Sequence, residues 1–376
     1  MKKRILVVSL GLIGVAGSAL AQIPDLLNTL DSGSRSMGAG GAFTATSADT
    51  NSILNNPAGI GFMSTKTFGF SMRNMPRSTT TMQGSLATPT LSSTGVGGKN
   101  QISHLGYTMP LKGGGTFGFS YQVGGVLDDF RSGTNLTSGS FTNVSYQEQI
   151  KAKTDFYTFA IGKANNDGNK SIGYGITVAN LNLADRQNGF IPGSPPTTII
   201  SSDNQASTWG VGLVAGFQTI PSSRPNTTFG GSVRTPIKLG SNTFSSPLYD
   251  VIPGQVTLGM AMRKDNFRGK DDFLVTGFQG SYYFGGRGSG IFDRSNQFVL
   301  GVGAEYNMVR EDFTLPIRVG FSRIAGGGSQ FSDRNTLTMG FGFHPTTTPW
   351  SLDVNYGFPR GGGRDFAVLL NYKFTK

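Results

Sequence analysis

Apolar and polar residues alternate one by one along most of this chain. In 116–123, Phe117, Phe119, Tyr121 and Val123 share one face, opposite Thr116, Gly118, Ser120 and Gln122. In 297–308, Phe298, Leu300, Val302, Ala304, Tyr306 and Met308 oppose Gln297, Gly301, Gly303, Glu305 and Asn307. In 350–358, Trp350, Leu352, Val354, Tyr356 and Phe358 oppose Ser351, Asp353, Asn355 and Gly357, and 365–374 repeats the pattern. A period of two is the mark of a strand with one apolar face. Such segments are read near 66–75, 100–109, 116–126, 144–163, 170–183, 205–219, 227–238, 254–264, 273–284, 296–309, 313–324, 335–344, 350–358 and 365–375. Residues 22–65 do not alternate; they are small, polar and rich in glycine.

A soluble β-sandwich also alternates, but two features point to a membrane barrel instead. The face opposite the apolar one is mostly Gly, Ser, Thr, Asn and Gln, as a crowded lumen requires. The connections between the fourteen segments also alternate in length, 24, 17, 21, 15, 11, 10 and 6 residues against 6, 6, 7, 8, 3 and 5. Long loops on one side and short turns on the other are how outer-membrane barrels are built. A sheet that spans lipid must close, because every backbone N–H and C=O there needs a partner. The pattern thus predicts an all-β chain: a transmembrane antiparallel β-barrel of 14 strands over 66–376. Fourteen strands enclose more room than their own side chains fill, and 22–65 is expected to enter that lumen as a plug.

Composition narrows the reading further. The 376 residues include 56 Gly and no Cys, and only 14% are charged. Glycine at this level is hostile to helices, and without cysteine no disulfide framework or cysteine-ligated metal exists. Aromatic content of 11% argues against disorder. Lys2, Lys3 and Arg4, the apolar run from Ile5 to about Gly17, and Ala19-Leu20-Ala21 form a secretory signal, so 1–21 is expected to be removed near Ala21. The formal charge of +11 falls to +8 without Lys2, Lys3 and Arg4. In an exported protein that excess points to outer-membrane lipid and lipopolysaccharide rather than nucleic acid.

Ser36-Met37-Gly38-Ala39-Gly40-Gly41-Ala42-Phe43, then Ala48-Asp49 and Asn56-Pro57-Ala58-Gly59, resemble the N-terminal hatch of the FadL-type long-chain fatty acid transporters. Phe229–Ile237, Ile252–Ala261 and Leu315–Phe321 resemble three later strands of that family, in the same order. Asp49 is followed by Thr50, so the family's double acidic step is reduced to one carboxylate. The resemblance implies a monomeric, hatch-plugged outer-membrane barrel for the passive uptake of fatty acids or other hydrophobic small molecules, released sideways through the wall. PorV-like proteins of protein secretion and surface attachment share the architecture and are the alternative reading; an outer-membrane lipid hydrolase is a weaker third. Leu370-Asn371-Tyr372-Lys373-Phe374 resembles the final-strand signal read by the barrel-assembly machinery, although Thr375 and Lys376 follow it.

Candidate site residues follow from parity and motif. Asn56, Pro57, Ala58 and Gly59 are assigned to the plug, with Asn56 expected to bond to lumen-facing groups. Arg73, Arg234, Arg263 and Arg318 fall on the lumen parity of their strands. The plain reading pairs them with Glu305, Asp353 or Asp49; the sharper one makes Arg234 and Arg318 clamps for an anionic head group. Pro236, Pro316, Gly124 and Gly125 are candidates for strand distortion, as a lateral opening would need. His104 and His344 are read as an ordinary strand residue and a turn residue. No metal site, cofactor or catalytic set is expected, since no G-x-S-x-G elbow or Walker lysine is present.

Overall fold

The computed structural model describes residues 35–193, 195–240, 251–285, 297–325, 334–359 and 365–374. The signal segment 1–21 and residues 22–34 of the expected plug lie outside the described residues. Six long strands come first: β1 (Thr67–Ser85), β2 (Thr88–Pro110), β3 (Thr116–Ser138), β4 (Phe141–Ala164), β5 (Lys170–Ile191) and β6 (Thr197–Thr219). The short β7 (Thr227–Arg234) is followed by a two-stranded excursion, β8 (Ile237–Lys238) with β9 (Val251–Ile252). The wall resumes with β10 (Gly254–Asp265), β11 (Phe273–Phe284), β12 (Phe298–Val309) and β13 (Phe313–Ala325). It ends with β14 (Arg334–Pro345), β15 (Trp350–Pro359) and β16 (Asp365–Lys373). Sequential antiparallel pairing closes when β1 meets β16, from Thr67↔Lys373 to Arg73↔Ala367. The result is one fourteen-stranded antiparallel barrel.

The alternation sorts side chains as a lipid-embedded wall demands. Phe159, Ile161, Ile172, Tyr174, Ile176, Trp209, Val211 and Leu213 point outward and are exposed, Ile172 at 64% and Val211 at 62%. Their neighbours Thr158, Ala160, Thr177 and Thr208 point inward and are buried. Large apolar side chains exposed in a continuous band would be a liability in water and are the normal outer face of a membrane barrel.

One expectation is corrected. The connections read as long loops after the first, third and fifth segments are mostly strand. β1 and β2 meet at residues 86–87, β3 and β4 at 139–140, and β5 and β6 at 192–196. Six strands therefore project well past the other eight. The sequence hid most of them because the outer face is polar there: Ser201, Asp203, Gln205 and Ser207 stand outward where Trp209, Val211 and Leu213 stand lower down. Without an apolar face a strand loses its period-two signal.

Residues 35–63 lie inside the barrel. They form α1 (Arg35–Gly38), α2 (Ser52–Asn55) and a 3-10 turn over Pro57–Phe62. Strand after strand offers them an inward glycine. Ala39 and Gly40 press on Gly301, Gly303 and Gly320; Ala42 on Gly277; Thr44 on Gly230; Asn56 on Gly216; Pro57 on Gly162 and Gly173; Ile53 on Gly118; and Thr50 on Gly69 and Gly106. Much of the glycine surplus is thus an inner belt whose missing side chains make room for a second layer of backbone.

Polar side chains of the wall satisfy that backbone, as a buried segment without regular structure requires. Gln279 Oε1 accepts from the Phe43 and Thr44 N–H groups at 3.1 and 2.8 Å. Gln218 Nε2 donates to the Thr44 and Ser47 carbonyls. Thr338 Oγ1 donates to Gly38 O and accepts from Gly40 N, and Ser171 Oγ donates to Ala58 O at 2.7 Å.

Candidate functional site

Above the inner segment the lumen turns apolar. Ala152 and Phe156 from β4, and Ala179, Leu181 and Leu183 from β5, form one buried cluster with Leu54 of α2. Ile237, Leu239 and Ile252 complete it from the β8–β9 excursion. That excursion folds into the barrel, with Ile237 against Gly210 and Gly212 on the inner face of β6. The cluster was legible in principle: Phe156, Leu181 and Leu183 are apolar residues on the polar parity of their strands.

Arg234, at the end of β7, stands beside this cluster. Its guanidinium lies 4.8 Å from the centre of the Phe156 ring, and Nη2 donates to Pro253 O at 3.5 Å. Nε is buried with no partner. No carboxylate pairs with Arg234 among the described residues. Phe156 also touches the wall: a Cβ placed on Gly124 would sit 2.2 Å from its ring. Gly124 is the extra residue of a β-bulge, since Val123 faces Asp155 while Gly125 already faces Thr154. At the same height β2 leaves β3. Their pairing ends at His104↔Gln122. Farther out β3 pairs with β1 instead, from Ser78↔Asp129, because the β1–β2 ribbon turns over. Residues 123–128 of β3 thus have no ladder partner on that side. Cation, aromatic ring, bulge and parted wall are contiguous.

The other assigned residues settle as follows. Asn56 donates to Thr44 O at 2.9 Å and to Phe217 O of β6 at 3.2 Å, and its Oδ1 accepts from Ala58 N at 3.3 Å. Pro57 opens the 3-10 turn, and Gly59 lies so close to Ser47 that a Cβ would meet its carbonyl oxygen at 2.3 Å. Arg318 is corrected from a head-group clamp to a structural ion pair: its side chain is 0% exposed, between Glu305 and Asp353 at 2.6 Å each. Arg73 pairs with Asp365. Arg263 has lumen parity but stands at the exposed end of β10, paired with Asp265. Pro236 is not inside a strand; β7 ends two residues before it. Pro316 causes no bulge, since Asn307↔Pro316 keeps the register of its neighbours, but the ladder from β13 to β14 lapses at Leu315 and Pro316. His104 Nε2 lies 3.0 Å from Thr50 Oγ1 and His344 contacts Asp353; neither has a serine hydroxyl as partner among the described residues.

Beyond the apolar band, the inner face of the long strands carries a charged layer. Arg131 donates to Asp129 at 2.7 Å and to Glu148 at 3.4 Å, and Gln187 donates to Glu148 and to Asp185. Burial, with Arg131 opposing and Asp185 and Asp129 adding to it, pushes Glu148 up to about 7. An acid whose pKa is raised on folding takes up a proton, so its folded form is favoured at low pH and loses that advantage as pH rises through 7. Hydrogen-exchange protection around residues 129–133 and 146–150, corrected for intrinsic rates, is therefore expected to fall between pH 5.5 and 8 by on the order of 2 kcal/mol. Glu148→Gln should flatten that dependence; an unchanged slope in the variant would count against Glu148 as its source.

No protein-family model matches the chain, and no curated protein matches it. Solved structures do. A Pseudomonas aeruginosa FadL homologue superposes with TM-score 0.59 at 16% identity, over 92% of this chain and 98% of that one. The Ralstonia pickettii toluene transporter TbuX gives TM-score 0.60 at 12% identity, over 93% and 99%. The P. putida toluene transporter TodX gives 0.60 at 13%, over 94% and 99%. The closed fourteen-stranded wall and near end-to-end superposition give this chain the fold of a FadL-type outer-membrane barrel.

Proposed function

We propose that the protein is an outer-membrane channel for passive uptake of hydrophobic compounds, and that its cargo includes amphiphiles with an anionic head, such as long-chain fatty acids. The observation that carries this reading is Arg234, a buried cation beside an apolar cluster with no carboxylate of its own among the described residues. Burying an unpaired charge is costly, and a ligand carboxylate would supply the missing partner with a forked, charge-assisted contact. The apolar side chains around it would take the tail. The unladdered stretch beside Gly124, buried at Val123 and Val126, then offers the weakest part of the wall for a sideways exit into lipid, while residues 35–63 act as the plug that denies water a path. The termini and short turns are assigned to the periplasmic side.

The test is ligand binding by the purified protein. Arg234→Gln is expected to weaken oleate binding at least about tenfold, the worth of one charge-assisted contact, while binding of toluene stays within about twofold. Equal loss for both ligands would mean that the variant damaged the pocket. No loss for oleate would remove Arg234 as the head-group partner.

A further inference from the structure

A second feature lies on the outer surface of the long strands. Tyr121, Tyr157 and Trp209 stand outward on β3, β4 and β6 in a continuous row, with ring centres 5.5 and 6.0 Å apart. Below them the outward residues are apolar; the next outward residues above are Asp155 and then Lys153 on β4, Asn182 on β5 and Ser207 on β6. Such a row marks the boundary between hydrocarbon and head groups. Just above it is a cleft of about 460 Å³. Its back wall is the outer face of β3 to β6, and Lys99 of β2 borders it, carried there as the β1–β2 ribbon turns over.

The cleft is basic and of mixed polarity. Lys99, Lys151 and Lys153 line it among small and apolar residues such as Val126 and Ala184, with Asn182 and Gln205, whose amides donate to Asn180 and Asp203. Lys153 is engaged by Asp155 at 2.9 Å and by the Tyr121 hydroxyl at 2.8 Å. Lys99 and Lys151 make no ion pair among the described residues. One carboxylate, Asp128, also lines the cleft, and Gln149 donates to it at 3.1 Å. With Lys153 already neutralised by Asp155, Lys99 and Lys151 are the ammonium groups left to meet an anion, against Asp128 as the one lining carboxylate.

We propose that this cleft binds the phosphate groups of an outer-leaflet glycolipid. Lysine is a point-charge partner for phosphate, and basic residues at a membrane surface attract anionic head groups at about 1 kcal/mol each. The aromatic row beneath would receive the start of the acyl chains. A fatty-acid cargo fits this place less well, because one carboxylate would leave one of the two unpaired ammonium groups, Lys99 or Lys151, without a counter-charge. The inference takes from the proposed function only the membrane setting and the orientation of the barrel, and its test involves no uptake.

Trp209 is one of two tryptophans, so Trp350→Phe leaves it as the sole reporter, stacked on Tyr157 at the foot of the cleft. Diphosphoryl lipid A, the same lipid with its phosphates removed, inorganic phosphate and oleate are titrated into the detergent-solubilised protein. Saturable change in Trp209 emission is expected with diphosphoryl lipid A alone, weakening as salt is added. Lys99→Gln and Lys151→Gln should each weaken binding about fivefold, and together about 25-fold. Equal binding of the phosphate-free lipid, or no loss in the double variant, overturns the proposal. So does saturation by inorganic phosphate alone, which would make the cleft an anion site without a lipid, or lysine-dependent binding of oleate in place of lipid A.

Discussion

Valine at both Gly303 and Gly320 is expected to unseat the plug and let ions through the barrel. These glycines face each other across β12 and β13, and both lie against Ala39 and Gly40 of the inner segment proposed as the plug. A Cβ on Gly303 would stand 2.2 Å from Ala39 O, and one on Gly320 would stand 2.3 Å from Gly40 N. Neither contact is with the end of a flexible side chain, so relief requires the plug backbone to move. It has little freedom to do so. Gly40 has φ +64°, a left-handed conformation that favours glycine, and its own Cβ position is 2.5 Å from Phe321 N and Val302 O. Overpacking costs about 1–3 kcal/mol per site. Two sites shift the balance between seated and unseated plug by roughly 30- to 20,000-fold if the costs add. Valine suits a strand, so the wall itself should persist. The measurement is conductance in planar bilayers, with hydrogen exchange over 36–63 as the structural readout. Rare or absent steps in the parent protein should become steady conducting steps in the variant, with loss of protection. A variant that stays silent and protected would mean that these residues do not stopper the lumen.

Alternation is strong where one face meets lipid, so all fourteen wall segments could be found from pattern alone. It fails in two places for physical reasons. The projecting parts of β1, β2, β3, β5 and β6 have a polar outer face, so they read as loops, although Met82, Leu136 and Ile200 meet Val144 and Tyr146 of β4 inside. The β8–β9 excursion is too short to show a period, yet it delivers Ile237, Leu239 and Ile252 into the lumen. Individual roles were harder still. Parity placed Arg234 and Arg318 alike inside the barrel, but only the register shows which carboxylates each one meets. Glu305↔Arg318 are direct partners across β12 and β13, and Asp353 arrives from β15 across β14. Arg234 ends a strand cut short before Pro236, beside Phe156 and not beside an acid. The bulge at Gly124 and Gly125 was suggested by the doubled glycine, whereas Pro316 left its register intact because a missing donor need not displace a strand.

The second large effect is expected at Arg318, and it is one of stability. Its Nε and Nη1 each lie 2.6 Å from a carboxylate oxygen, Glu305 on one side and Asp353 on the other, with all three side chains almost wholly buried. The stem of Arg318 also supports α1: a Cβ on Gly38 would stand 3.1 Å from its Cδ. Arg318→Met keeps much of that stem and removes the charge, leaving two buried carboxylates without their shared cation. Breaking a buried pair in this way costs about 3–5 kcal/mol. The temperature at which the folded barrel converts to the unfolded band on a gel should fall clearly. Replacing all three, with Arg318→Met, Glu305→Gln and Asp353→Asn, removes the uncompensated charge and should recover most of the loss, since a buried ionic group often contributes little net stability over neutral residues of similar volume. Oleate affinity of the triple variant should match the parent, because the head group is assigned to Arg234. If the single variant unfolds like the parent while losing oleate affinity, the two arginines have been given each other's roles.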